Sequence, residues 1–181
     1  PQLEQGAFPT SYIPTTTAAA TRSADSAIVT PISSFYNQAE GTLLSNINIP
    51  FTFGAQRIAS FQGSGGAAVN DIALFVFDAT GKAVSGNVFV GASNIGRLDV
   101  SQTYAPALSF SAAYAIKSGD RALTSSGNTP VVSTASFTMP NVTTLVIGEQ
   151  GFGLGVLNGH IRKIAYYPKR LSNTLLEQLT T

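Results

Sequence analysis

The chain has 181 residues, of which 44% are hydrophobic and only 10% charged, with a formal net charge of +1, against roughly 25% charged residues in an ordinary soluble protein. Such a length gives one domain with a flanking segment, and the near-neutral balance excludes a field strong enough to steer nucleic acid or an anionic membrane. The absence of cysteine excludes a disulfide framework and a thiolate metal site.

Residues 1–25 contain Pro9, Pro14, the run Thr15-Thr16-Thr17 and Ala18-Ala19-Ala20. They have no strand or helix period and read as an extended arm or linker from a preceding module. Phe8, Tyr12 and Ile13 are too apolar for a free tail and too proline-broken for a core, so the arm is expected to lie against the module or a neighbouring subunit. The chain opens on Pro1 rather than Met and without a charged-then-apolar leader, which reads as a fragment, a processed product or the ordered part of something longer.

Residues 26–181 form the folded unit. Short β-rich runs alternate with Gly, Asn, Asp and Ser clusters at the spacing of a sandwich or barrel, with strands at 41–49, 57–62, 71–78, 86–91, 107–116, 121–125, 131–138, 143–148 and 160–167. Ile72-Ala73-Leu74-Phe75-Val76-Phe77 is apolar on both faces, so the side carrying Phe75 and Phe77 needs a cover, and the run is far too short to span a membrane. Leu108, Phe110, Ala112, Tyr114 and Ile116 alternate with Ser109, Ser111, Ala113 and Ala115. The large residues are expected in the core, and the small ones allow close approach of a neighbour. Arg162, Lys163, Lys169 and Arg170 read as a solvated edge that discourages strand pairing. A final helix is expected to begin at Ser172 as N-cap, with Leu171 and Leu176 as a hydrophobic staple and Leu175, Leu176 and Leu179 as one stripe docked on the sandwich edge.

Two segments carry a family resemblance. Residues 2–15, Gln-Leu-Glu-Gln-Gly-Ala-Phe-Pro-Thr-Ser-Tyr-Ile-Pro-Thr, with Thr21-Arg22-Ser23-Ala24-Asp25, resemble a junction common in phage tail and other virion proteins. Residues 157–172, Leu-Asn-Gly-His-Ile-Arg-Lys-Ile-Ala-Tyr-Tyr-Pro-Lys-Arg-Leu-Ser, resemble the segment that closes concanavalin A-like lectin/glucanase (LamG-like) domains of phage and prophage proteins. Phe35-Tyr36-Asn37, Glu40-Gly41-Thr42-Leu43 and 142–148 are similar to that family as well, whereas 50–135 are less diagnostic and Ser125-Ser126-Gly127-Asn128 replaces its usual hairpin. The resemblance implies an all-β fold, a two-sheet antiparallel jelly-roll sandwich with one short C-terminal helix. It further implies a virion location, other virion proteins as partners, and self-association, with a trimer as the expected state because phage fibres are usually trimeric.

The residues themselves offer little for catalysis. Glycoside hydrolysis needs two carboxylates across the scissile bond, and no two of the nine acidic residues stand closer than seven positions apart. His160 is the sole histidine and reads as a strand-start residue hydrogen-bonded to backbone. The glycine-rich stretches 63–66 and 151–155 complete no phosphate-binding motif and read as hairpin loops. Calcium could be offered ligands by Asp71 after Asn70, by Asp78, or by Asp99 near Asn94, though ordinary turn roles also account for these residues.

A sugar offers apolar ring faces ringed by hydroxyls, so its site should combine an exposed aromatic with amide and carboxylate groups. Tyr36, Asn37, Asn94, Glu149, Phe152 and Asn158 are the candidates. The expectation is a non-enzymatic module for host-surface glycan attachment, without nucleic acid and without membrane insertion. The alternatives are a purely structural decoration, connector or trimerisation domain, and a polysaccharide depolymerase.

Overall fold

The computed structural model describes residues 18, 27–49, 54–77, 83–101, 108–151 and 155–181, with the side chains of Ala68, Phe77, Ala83 and Leu108 outside the described set. The strands in chain order are β1 (Ala27–Val29), β2 (Glu40–Ile49), β3 (Ala55–Gln62), β4 (Asp71–Phe77), β5 (Ala83–Val90), β6 (Ser93–Asn94), β7 (Leu98–Ser101), β8 (Leu108–Lys117), β9 (Arg121–Ser125), β10 (Val131–Ser133), β11 (Thr144–Ile147) and β12 (His160–Tyr167), followed by helix α1 (Asn173–Thr180). They form two antiparallel sheets. The large sheet runs β1-β11-β3-β4-β5, with β6 and β7 both on the free side of β5, and the small sheet runs β10-β9-β8-β2-β12.

The core follows from period-two alternation in paired strands. β2 and β8 pair along their full length, from Glu40 opposite Lys117 to Ile49 opposite Leu108, which aligns Leu43, Ile47 and Ile49 with Phe110, Tyr114 and Ile116 on one face. These pack against Phe61, Ile72, Leu74, Val76, Val84, Val88, Leu98 and Val100 of the large sheet in one continuous cluster. At Gly86 a Cβ would lie 2.8 Å from the Tyr114 ring, so glycine admits the tyrosine between the sheets. Burial pushes the Tyr114 phenol up to about 12 against the pull of Arg121. Arg121, 2% exposed, donates through its terminal nitrogens to Gly96 O at 2.7 Å, to Tyr114 Oη at 3.4 Å and to Ser133 Oγ at 3.3 Å, which satisfies part of a guanidinium held between the sheets.

Several expectations change in detail. The small-residue face of β8 meets the chain's own helix: Ala113, Ala115, Ala122 and Leu44 pack with Leu176 in a second cluster. Helix α1 therefore docks on the outer face of the small sheet over β8 and β9, not on an edge, because side chains this small leave room for a helix. Leu176 is fully buried and Leu179 half-buried, but Leu175 is 37% exposed and lies off the stripe. The N-cap stands as expected, with Leu175 N donating to Ser172 Oγ at 3.3 Å. The 131–138 run is a strand only over β10, whose last residue, Ser133, is engaged through its Oγ by Arg121 and by Ala135 N. Arg170 is not a free edge cation, since its Nη2 pairs with Asp120 at 2.8 Å and its backbone N donates to Glu40. His160 does begin β12, with an exposed side chain that makes no hydrogen bond among the described residues. The arm residues Phe8, Tyr12 and Ile13 lie outside the described residues. No helix among the described residues is long and apolar enough to cross a membrane.

Candidate functional site

The richest chemistry sits on the outer face of the large sheet. Register across the sheet sets it in rows. Gln62 stands beside Asp71, which stands beside Phe89 and then Asn94; Ser60 stands beside Ala73 and then Asn87; Arg57 stands beside Phe75, then Ser85 and Asp99. Strands alternate their side chains, so the same pattern that sends Ile72, Leu74 and Val76 into the core sends Asp71, Ala73 and Phe75 outward.

Much of this outward face is nevertheless buried. Arg57 and Phe75 are each 7% exposed and Asp71 is 0% exposed. Arg57 lies over Phe75, its guanidinium 5.1 Å from the ring centroid, and reaches Asp71 Oδ2 with Nη1 at 2.8 Å. Burial pushes the Asp71 carboxyl up to about 6, although the charge and hydrogen bond of Arg57 and a hydrogen bond with Ser60 pull it down.

The segment after β11 closes over the β3 end of this face. Gln62 Nε2 donates to Gln150 O at 2.9 Å and Arg57 N to Gly155 O at 2.8 Å. The β5 end is open, with Phe89 half-buried and Asn94, Arg97 and Asp99 exposed. There Arg97 pairs with Asp99 at 2.9 Å, and Ser85 Oγ donates to Asp99 Oδ1 at 2.5 Å. Asn94 Oδ1 accepts from Gly96 N at 2.8 Å, which leaves its NH2 group without a partner among the described residues.

The residues singled out from sequence do not converge on one place. Asn94 borders the large sheet's outer face at its open end; Glu149, only 5% exposed, precedes Gln150 in the segment held by Gln62; and Asn158 bonds through its backbone N to Gln56, which stands opposite the core residue Val76. Phe152 lies outside the described residues. Tyr36 and Asn37 are elsewhere, between the sheets' ends. Tyr36 stacks on Tyr166 at 5.5 Å and meets Phe61 at 4.8 Å, and burial pushes its phenol well above the usual range. Asn37 holds a turn, accepting from Ala39 N at 3.0 Å and donating to Pro168 O at 2.9 Å. Arg57, Asn87 and Phe89 were not singled out from sequence. A signal existed in Arg57 and Asp71 as charges on facing strands of the hairpin that the glycine loop 63–66 closes.

Among the described residues no three His, Asp or Glu side chains gather as a metal site. Of the residues considered for calcium, Asp71 is engaged by Arg57, Asp99 by Arg97 and Ser85, and Asp78 lies outside the described residues.

No protein-family model and no curated protein sequence matches the chain. Solved structures do. The chain is similar to the Ruminococcus gnavus IT-sialidase CBM40, with a TM-score of 0.67 and 16% identity over 80% of this chain and 84% of that one. It is similar to the same module bound to α2,6 sialyllactose, with a TM-score of 0.65 and 18% identity over 80% and 85% of the two chains. The native heptameric SAP-like pentraxin from Limulus polyphemus gives a TM-score of 0.60 at 14% identity over 76% and 68%. Identities this low establish a shared fold, the two-sheet antiparallel jelly-roll sandwich.

Proposed function

We propose that the chain is a non-catalytic glycan-binding module of a bacteriophage tail fibre or surface appendage, and that the open end of the large sheet's outer face meets the sugar. The observation that carries this reading is the row in which the half-buried Phe89 stands between Asp71 and the exposed Asn94, with Asn87 on the same face and the Arg97–Asp99 pair at its margin. An aromatic ring framed by amides and charges suits a ligand that is apolar on its ring faces and hydroxylated at its rim. Sialyllactose binding by a similarly folded module is consistent with it. Binding without bond breaking is favoured because four of the acids among the described residues already hold partners, Asp71 with Arg57, Asp99 with Arg97, Asp120 with Arg170 and Glu40 with the Arg170 backbone. The virion location rests on the resemblance of residues 2–25 and 157–172 to phage proteins.

The test is a glycan array of bacterial surface polysaccharides followed by calorimetry on the best ligand. Phe89→Ala with Asn94→Ala should weaken binding at least about tenfold, some 1.4 kcal/mol, without moving the melting transition of the sandwich. Wild-type affinity in that variant, or no binding to envelope glycans of a proven host, overturns the reading.

A structural or trimerisation role is favoured by a different observation. Ile28 and Val29 on β1, and Val131 and Val132 on β10, are exposed apolar residues on the edge strands of the two sheets. Light scattering on the whole chain and on Val132→Lys tests it: a trimer that dissociates in the variant supports the role, and a monomer in both removes it.

A further inference from the structure

We infer that a cleft between the 31–38 and 141–143 segments is a second ligand site, separate from the large sheet's open end, and that it takes one neutral sugar ring. Its volume is about 350 Å³, and its walls are Ile32, Ser33, Tyr36 and Gln38 on one side and 141–143 on the other. That volume falls at the lower end of the ~300–1,000 Å³ range of small-ligand pockets, which suits a single ring rather than a chain.

The cleft is held open by bonds that do not depend on a ligand. Ile32 N donates to Thr143 O at 3.3 Å, Thr143 N to Gln62 O at 2.9 Å, and Gln38 Nε2 to Pro140 O, so both walls are tied to each other and to β3. The Tyr36 ring is fixed by Tyr166 and Phe61. A site held in this way needs no ordering when the ligand arrives.

The lining combines two chemistries. Ile32 and Val142 are 1% and 5% exposed and give an apolar floor. Ser33, Asn141 and Thr143 are exposed at the mouth, and their side-chain polar groups make no hydrogen bond among the described residues. None of the lining residues is charged. A charged ligand group would lose water here and gain no counter-ion, whereas a neutral ring sets its C–H face on the floor and its hydroxyls on the amide and hydroxyl groups of the rim.

The site lies beside β1 and β11, and the open end described above lies beside β5, β6 and β7 at the opposite margin of the same sheet. With ~4.8 Å between neighbouring strands, the two are on the order of 15–20 Å apart. The two sites can therefore be occupied and lost independently.

Backbone amide chemical shifts of the whole chain, titrated with D-glucose, D-galactose, N-acetylglucosamine and L-rhamnose, test the proposal. At least one sugar should produce saturable shifts at Ser33, Gln38, Asn141 and Thr143. Asn141→Trp, an exposed position at the mouth, should weaken that response by at least about tenfold, with the Phe89 and Asn94 amides unchanged. Should that variant fail to fold, Thr143→Val, which removes only the rim hydroxyl, should weaken the response instead. No saturable shift with any of these sugars overturns the proposal, as does a response that survives both substitutions. Shifts confined to 87–97 overturn it as well while leaving the large-sheet reading intact.

Discussion

The two sheets bury their inner faces against each other in the same manner, but they differ in what they do with the faces turned outward. The small sheet presents Ala113, Ala115 and Ala122 on its outer surface and covers them with α1 through Leu176; beyond the helix it presents the half-buried Asn46, Asn48 and Ser111 and the exposed Ser109. The large sheet presents arginine, carboxylate, amides and phenyl rings, and much of that polar surface is buried under the segment that follows β11. An apolar strip of small side chains is what a helix needs for close packing. A buried ion pair adds little to stability and often less than a hydrophobic replacement would. The pair is one reason the large sheet's outer face is held by polar contacts where the small sheet's is held by packing.

The comparison can be broken most sharply at the shared core. Phe110, on the inner face of β8, is 4% exposed, and Phe110→Ala should lower the unfolding free energy by ~3–5 kcal/mol. Leu176→Ala should follow with about 2–4 kcal/mol, because it uncovers Leu44 and three alanines on the outer face of the small sheet. Urea melts of both variants check the order. A Leu176→Ala chain as stable as the parent would mean that α1 rests on the sheet without contributing to it.

The large sheet is sharpened by pH. A carboxyl raised from its ordinary 3.8 to about 6 holds its proton more tightly in the folded state. Its contribution to stability is therefore fully present below about pH 4 and is lost as pH rises through about 6, a change on the order of 3 kcal/mol. Asp71→Asn removes this titration. The difference in unfolding free energy between parent and variant should therefore change between pH 4 and 7, the parent losing ground as pH rises. A difference that stays constant across that interval would show that Arg57 keeps Asp71 charged throughout.

The sandwich was legible because its long strands repeat with period two: 41–49, 71–78, 107–116 and 160–167 fall within a residue or two of β2, β4, β8 and β12. β6 spans two residues and β7 four, too short to show a period, although Leu98 and Val100 of β7 do alternate inward. The small-residue face of β8 announced a close neighbour, but alternation within one strand cannot tell a helix of the same chain from another subunit. The outer face of the large sheet was half visible. Phe75 signalled a surface in need of cover, yet Arg57 and Asp71 stand fourteen positions apart and meet only through the β3–β4 register. In the sequence Tyr36 and Asn37 read as an exposed aromatic beside an amide, whereas Tyr36 stacks on Tyr166 and Asn37 N donates to the same tyrosine, 129 residues further along.

The smallest expected effect lies at the solvated end of the small sheet. Ser109 Oγ accepts from Asn48 Nδ2 at 2.9 Å, Ser111 Oγ accepts from Asn46 Nδ2 at 3.0 Å, and Ser109 is exposed. Water can replace an exposed hydroxyl as the partner of an amide, so Ser109→Ala should change stability by no more than about 0.5 kcal/mol. Ser109 shares its face with Ala113 and Ala115, which α1 covers, so this substitution separates a property of the strand from a property of its cover. Were Ser109→Ala to destabilise the chain as much as Leu176→Ala in the same urea melts, the Asn and Ser rows would have to be covered in solution. The cover would then have to be another copy of the chain or the 1–25 arm, because α1 ends over β8 and β9 at the alanines. Repeating the melts across a range of protein concentrations separates the outcomes, since only an intersubunit cover makes the effect of Ser109→Ala depend on concentration.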